Sequence, residues 1–186
     1  MIDFEIPDEL AALRDEIRTF VVEKIVPYGR DPRLTRHGPD EELRTERVGL
    51  AREAGLLTFQ APRRFGGREP SHREQAVLFE AAGWSTLGPV ALNCAAPDEG
   101  NMFVLGKIAN DEQVEKFLVP VIDGRQRSVF AMTEPGGAGS DPGQLATEAV
   151  FDGSNYVING RKWLITGADG ARTWIIMARV APNPHG

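Results

Sequence analysis

A chain of 186 residues, 41% apolar and 26% charged, is long enough for one globular domain or two small ones. Its 21 basic and 27 acidic side chains leave a formal charge of −6, so no cationic surplus exists to neutralise nucleic-acid phosphates or to hold an anionic membrane. The longest apolar run, Phe117 to Ile122, is 6 residues with Pro120 inside it, against the roughly 20 that a bilayer span needs. No transmembrane helix is expected. The opening MIDFEIPDELAALRDE lacks the basic-then-apolar order of a secretory leader, and Cys94 has no partner for a disulfide, which together point to the cytoplasm. The setting ALNCAA makes Cys94 a packed thiol, and GWSTLG at 83–88 has the wrong spacing for a nucleophile elbow. His37, His72 and His185 are too far apart for the usual zinc spacing, so no metal site is expected. The 17 arginines, against 4 lysines, are scattered among acidic residues as on a solvated helix face.

In chain order, Leu10, Leu13, Ile17, Phe20, Val21 and Ile25 recur at three- and four-residue steps behind Pro7-Asp8-Glu9, which predicts an amphipathic helix stopped by Pro27. A second helix is expected from near Asp40 through Leu43, Leu50, Ala51 and Ala54 to Gly55. Gly66-Gly67 marks a loop. A third helix, 71–83, opens on a capping box of Ser71 and Glu74. A more broken helix follows Pro97, and a short one starts at Asn110, with Gln113 at capping distance, and ends near Pro120.

After Gly124 the period changes from 3.6 to 2. Strands are expected at Arg127–Thr133, Leu145–Phe151 (closed by Asp152-Gly153), Tyr156–Ile158, Arg161–Thr166 and Thr173–Val180. Asn159-Gly160 predicts a hairpin between the third and fourth of these. Short strands at this spacing indicate an antiparallel sheet or barrel, with a domain boundary near 124–127.

The stretch FAMTEPGGAGSDPG at 130–143 delivers Thr133 and Glu134 into Gly136, Gly137 and Gly139, then Ser140 and Asp141. Glycine amides beside a hydroxyl form a concavity suited to a phosphate or a flavin edge. A Rossmann fingerprint would need a small residue where Pro142 stands, and a Walker loop would need a Gly-Lys pair, so neither is present. On spacing alone, a glycine-rich turn capped by Asp141 fits as well as a ligand cradle does.

TEPGGAGSDP after a strand, followed by NGRKWLITGA, resembles the flavin-binding segment of the acyl-CoA dehydrogenase family. GLLTFQAPRRFGG at 55–67 and NDEQVEKFLVPVIDG at 110–124 resemble its helical-domain signatures, so the resemblance runs over essentially the whole chain. One residue more stands between Pro135 and Ser140 than in the commonest form of the motif, TEPGAGSD.

The resemblance implies an α+β fold: an N-terminal all-α helical domain over 1–124, then an incomplete antiparallel β-barrel-like domain over 125–186. It implies FAD as cofactor and an acyl-CoA thioester as substrate. Phe130, Met132 and Thr133 would lie against the isoalloxazine ring, with Thr133 and neighbouring amides near its N1–C2 carbonyl edge, where reduction builds negative charge. Gly139 would belong to the cofactor cradle, and Ser140 would touch flavin phosphate or the coenzyme A part of the substrate. Thr166 matches the hydroxyl beside N5 and O4. The family's aromatic residue two places after the lysine is here Leu164, preceded by Trp163: either Trp163 stacks on the ring through a register shift, or the ring packs on Leu164. Glu134 and Asp141 are expected to accept hydrogen bonds from nearby amides rather than to act as base.

The same resemblance places the catalytic glutamate in a C-terminal helical bundle, so no catalytic residue is expected among these residues. The chain then reads as a fragment, an early-ended frame or one half of a split enzyme, inactive toward acyl-CoA alone and completed by a complementary C-terminal half or in a homo-oligomer. Two other readings are a non-catalytic remnant or interaction module of this fold, and a flavin monooxygenase or oxidase built on it.

Overall fold

Apolar residues at helical spacing fold α1 (Asp8–Phe20) and bury Leu10, Ile17 and Phe20 on one stripe. The computed structural model describes residues 5–136 and 140–180. It carries the helical path past Phe20 as a π turn, Val21–Ile25, and a 3-10 turn, Val26–Arg30. Pro27 has no N–H for an α-helical bond, so the path tightens at that residue instead of ending there. A short antiparallel pair follows, β1 (Leu34–Thr35) and β2 (Gly38–Pro39), too brief to leave an alternation in the sequence.

Helix α2 (Glu41–Glu53) starts where Asp40 accepts the Leu43 amide at 2.8 Å, and the chain turns away at Gly55 with φ 68°. This helix corrects the expectation that every arginine faces solvent. Arg44 and Arg47 are buried. Arg44 donates to Glu41 and to the carbonyl of Gly124 (2.9 Å), while the Arg47 guanidinium lies 3.1 Å from the Tyr28 ring centroid and pairs with Glu46. Partners of opposite charge, or an aromatic face, make such burial tolerable.

Helix α3 (His72–Ala82) opens on the expected box: Ser71 accepts the Glu74 amide, and Glu74 accepts the Ser71 amide at 2.6 Å. After α4 (Gly88–Ala91), the segment behind Pro97 forms one continuous helix, α5 (Asp98–Ile108), rather than a broken one. Asn110 and Gln113 cap α6 (Asp111–Gln113), which passes through a π turn, Val114–Leu118, into α7 (Val119–Ile122). Pro120 falls in the first turn of α7, where its missing N–H is harmless, so the helical path outlasts it.

Contacts between Cα atoms divide the chain into Met1–Arg125 and Gln126–Gly186. In the first unit, Ile17, Val21, Leu78, Leu87, Leu92 and Phe59 belong to one apolar cluster; Met102, Leu118, Val121 and Ile122 belong to another. Cys94 sits in the first cluster, and burial, with Glu99 adding to it, pushes its thiol up to about 12, which fits a packed thiol. A polar knot connects loop 58–60, the 92–93 turn and α7. The Asn93 amide donates to the Thr58 hydroxyl (2.9 Å) and the Val121 carbonyl (2.8 Å), the Thr58 hydroxyl donates to the Ile122 carbonyl (2.6 Å), and Gln60 donates to the Asn93 carbonyl (2.8 Å). Both Asn93 (φ 55°) and Thr58 (φ 52°) hold left-handed backbone to do this.

In the second unit, β3 (Ser128–Ala131) pairs in parallel with β6 (Thr173–Ile176). A second sheet sets β4 (Glu148–Phe151) between β5 (Tyr156–Asn159), antiparallel, and β7 (Arg179–Val180), parallel. The α+β class with an open β region is the one expected. Among the described residues of this unit, however, antiparallel pairing is confined to the β4–β5 hairpin, turned at Asp152, which accepts the amides of Ser154 (2.9 Å) and Asn155 (2.8 Å). The other pairs join strands separated by long connections, which leave the chain free to return in the same direction.

Asn159-Gly160 forms no hairpin, and Arg161–Thr166 is not a strand. Gly160 serves close packing instead. A Cβ there would stand 2.2 Å from the Thr147 hydroxyl oxygen and 2.7 Å from the Thr147 Cα. Thr147 in turn belongs to the knot that holds this unit. The buried Glu134 accepts the Lys162 ammonium (2.8 Å), the Thr147 hydroxyl (2.5 Å) and the amides of Ala146 (2.6 Å) and Thr147 (2.9 Å). Lys162 foremost, then the Thr147 hydroxyl and the Ala146 amide, hold the carboxyl down at about 2.

Three outcomes are expected. Asn93→Ala should cost about 2–3 kcal/mol of unfolding free energy, through unmade bonds to buried carbonyls, and Asn93→Gly should recover about 1 kcal/mol of it because glycine accepts left-handed backbone; urea unfolding of the three proteins checks the order. Gly160→Ala should destabilise the second unit by about 1–3 kcal/mol through overpacking on Thr147, seen as faster exchange of the Thr147 amide. Because the folded carboxyl of Glu134 lies below its ordinary value of 4.5, its stabilisation is complete above that value and fades as pH falls toward about 2. Glu134→Gln should therefore flatten the fall in melting temperature over that acid window.

Candidate functional site

The segments singled out in the sequence meet at the end of β3. Phe130 lies on β3 opposite Ile175 and is 38% exposed, and Met132 and Thr133 follow it, half-buried. Three bonds tie this strand end to the segment after Gly160. Lys162 donates to the Met132 carbonyl (2.9 Å) and to Glu134 (2.8 Å), and the Trp163 amide donates to the Thr133 carbonyl (3.1 Å). Met132, Thr133 and Trp163 are thus brought together. Trp163 is 49% exposed, and Leu164 next to it is 80% exposed with left-handed backbone, φ 52°. Thr166 is exposed in a turn whose next residue, Gly167, has φ 78°. Ser140 is exposed, and Gly139 lies outside the described residues. No bond joins Ser140, Leu164 or Thr166 to the Thr133–Trp163 pair among the described residues.

Sequence reasoning passed over Lys162 and Thr147, which anchor the arrangement. A signal for Lys162 existed: it is the one lysine after Lys116 in a chain whose other basic residues are nearly all arginine. Thr147 carried none, because its role depends on a contact with Glu134, 13 residues away.

The donor set fits a planar aromatic group with a polar edge. Among the described residues the hydroxyls of Thr133 and Thr166 make no hydrogen bond, so they remain available to a ligand. Phe130, Trp163 and Leu164 offer exposed apolar surface, and the one carboxylate at the strand end is engaged by Lys162, so an electron-rich edge meets no bare negative charge. Asp141 is also occupied, accepting from the Gly143 amide (2.8 Å) and the Gln144 side chain (2.9 Å). In the helical unit a cavity of about 670 Å³ is lined by Arg64, His72 and Lys107 together with Glu69 and Glu99, a mixture that favours neither sign of charge. Among the described residues no group of three or more His, Cys, Asp or Glu could hold a metal ion, and no helix is long and apolar enough to cross a membrane.

Comparison with known proteins bears on the family and the fold. The family model "Acyl-CoA dehydrogenase, N-terminal domain" matches residues 7–125, and "Acyl-CoA dehydrogenase, middle domain" matches 129–186. The chain is 41% identical over 145 residues to "Probable acyl-CoA dehydrogenase FadE2" of Mycobacterium tuberculosis, covering 77% of this chain and 34% of that protein. It superposes on an acyl-CoA dehydrogenase homologue from Mycobacterium abscessus with a TM-score of 0.85 at 36% identity, covering 98% of this chain and 48% of that one. The fold is shared as well with a glutaryl-CoA dehydrogenase of Mycobacterium smegmatis solved with FADH2, at a TM-score of 0.73 and 22% identity, covering 94% of this chain and 43% of that one. The chain thus spans between a third and a half of the length of these relatives, and with the helical-domain match alone extending over most of its residues it belongs to the acyl-CoA dehydrogenase family.

Proposed function

We propose that these residues form the ring-binding side of an FAD-dependent oxidoreductase acting on acyl-CoA thioesters. The observation that carries this is the bonding of Thr133 to Trp163 and of Met132 and Glu134 to Lys162, which sets two motif segments side by side, with the Thr133 and Thr166 hydroxyls making no hydrogen bond among the described residues. Bound there, FAD would supply the acceptor for the hydride leaving the β carbon as the α,β bond of the thioester is desaturated. Met132 and Thr133 would line the ring from the strand end, and the Thr133 and Thr166 hydroxyls would donate to its polar edge. Of the two neighbours, Trp163 is assigned the stacking role, since its own amide is anchored on Thr133 while Leu164 projects into solvent. Phe130 would add apolar contact. Ser140 and Gly139 are assigned to the phosphate or coenzyme A portion.

No side chain here is assigned as general base. Glu134 and Asp141 both have their oxygens committed to nearby donors, and a carboxyl held near 2 is a poor proton acceptor at neutral pH. Proton abstraction is assigned to a carboxylate outside these residues, brought by a C-terminal helical segment or by an oligomeric partner.

The test mixes the purified chain with FAD, alone and co-expressed with the C-terminal half of a family relative. The complemented protein should be yellow, and Thr133→Ala or Thr166→Ala should each weaken FAD binding about 5- to 10-fold, the loss of one hydrogen bond. The chain alone should show no acyl-CoA-dependent dye reduction. A colourless complemented protein would overturn the flavin assignment, and turnover by the chain alone would overturn the placement of the base.

A further inference from the structure

We infer that Glu134 and Lys162 are positioning residues that fix the ring-binding segments and, as a charge-balanced pair, set the electrostatic field those segments present to the flavin. The inference rests on the flavin reading above and adds to it a role for two residues that touch no ligand.

The geometry is specific. Both side chains are nearly withdrawn from solvent, 11% exposed for Lys162 and 9% for Glu134, and their ionic contact is 2.8 Å. Between them they hold three backbone groups, the Met132 carbonyl and the amides of Ala146 and Thr147, and the residue after Lys162 adds a backbone bond of its own, the Trp163 amide on the Thr133 carbonyl. A buried ion pair is rarely better for stability than apolar residues of the same volume. An apolar pair, however, could not satisfy the Met132 carbonyl or the two amides, and these are the groups that determine where Met132, Thr133 and Trp163 sit.

The charge balance has its own consequence. Lys162 lies at the strand end assigned to the ring, where a lone cation would favour the negative charge that reduction builds. Glu134 cancels that cation, leaving the field there to amides and hydroxyls. Removing one partner therefore shifts the field in a direction opposite to removing the other, which loss of packing alone would not do.

The experiment measures the reduction potential of the bound flavin, by equilibration with a reference dye, in the FAD-loaded complemented protein. Glu134→Gln leaves Lys162 uncancelled and should raise the potential. Lys162→Met leaves Glu134 uncancelled and should lower it. Lys162→Arg should stay near wild type, and the double variant E134Q/K162M should return toward the wild-type potential while binding FAD more weakly. Equal potentials in wild type and both single variants, or shifts of one sign in both, would overturn the inference. Should E134Q not fold, the K162M arm decides: an unchanged or raised potential overturns it. A wild-type protein that takes up no FAD would instead bring down the flavin reading itself.

Discussion

The β unit is organised around one carboxylate. Glu134 leaves the end of β3, passes out of solvent and accepts four donors, from Lys162, the Thr147 hydroxyl, and the amides of Ala146 and Thr147. A buried carboxylate is costly unless its lone pairs are filled, so the position of each donor becomes a condition for the others. The entry into β4, the packing of Gly160 on Thr147 and the path of the segment through Trp163 all follow from satisfying that one group. Sheets this small bury little apolar surface, and a saturated polar knot supplies the specificity that their strands alone would lack.

The helical unit solves a related problem. Its apolar clusters form from helix stripes, but the turns that bring the helices together expose backbone carbonyls in the interior. Asn93 and Thr58 cap the carbonyls at the end of α7, and both adopt left-handed backbone to reach them. Asparagine is among the few side-chain-bearing residues that take that conformation cheaply, and threonine is not. The hydroxyl bond to Ile122 offsets the strain at Thr58.

Legibility in the sequence followed the range of the forces involved. Asp40, Ser71 and Asn110 mark helix starts because each cap acts on an amide three residues away, and all three are found in place. Pro27 misled because proline forbids one α-helical bond without forbidding a 3-10 path around it, and Pro120 because it falls in the first turn of α7, where its missing N–H is harmless. Asn159-Gly160 misled for a different reason. Its intrinsic preference for a tight hairpin is real but small, and the chain spends this glycine on a close approach to Thr147 that no local window contains. The motif segments could be picked out through the family resemblance, while the ion pair that ties them together could not. Burial of Lys162 is decided by Glu134, 28 residues earlier.

The distribution of satisfied and unsatisfied polar groups separates scaffold from site. Folding selects against leaving a buried donor or acceptor unmade, and in this unit Glu134, Lys162 and Thr147 all have their partners within the protein. Among the described residues the hydroxyls of Thr133 and Thr166 make no such bond, and the rings of Phe130 and Trp163 are partly exposed. Stability alone gives no reason to combine a fully saturated ionic knot with unused hydroxyls and exposed rings a few residues away. A binding surface does, since the donors must be held by something rigid and yet be free when the ligand arrives. The charged pair supplies the rigidity, and by cancelling its own charge it leaves recognition to neutral donors and apolar faces, a combination that suits an extended aromatic ring with a carbonyl edge better than it suits a bare ion.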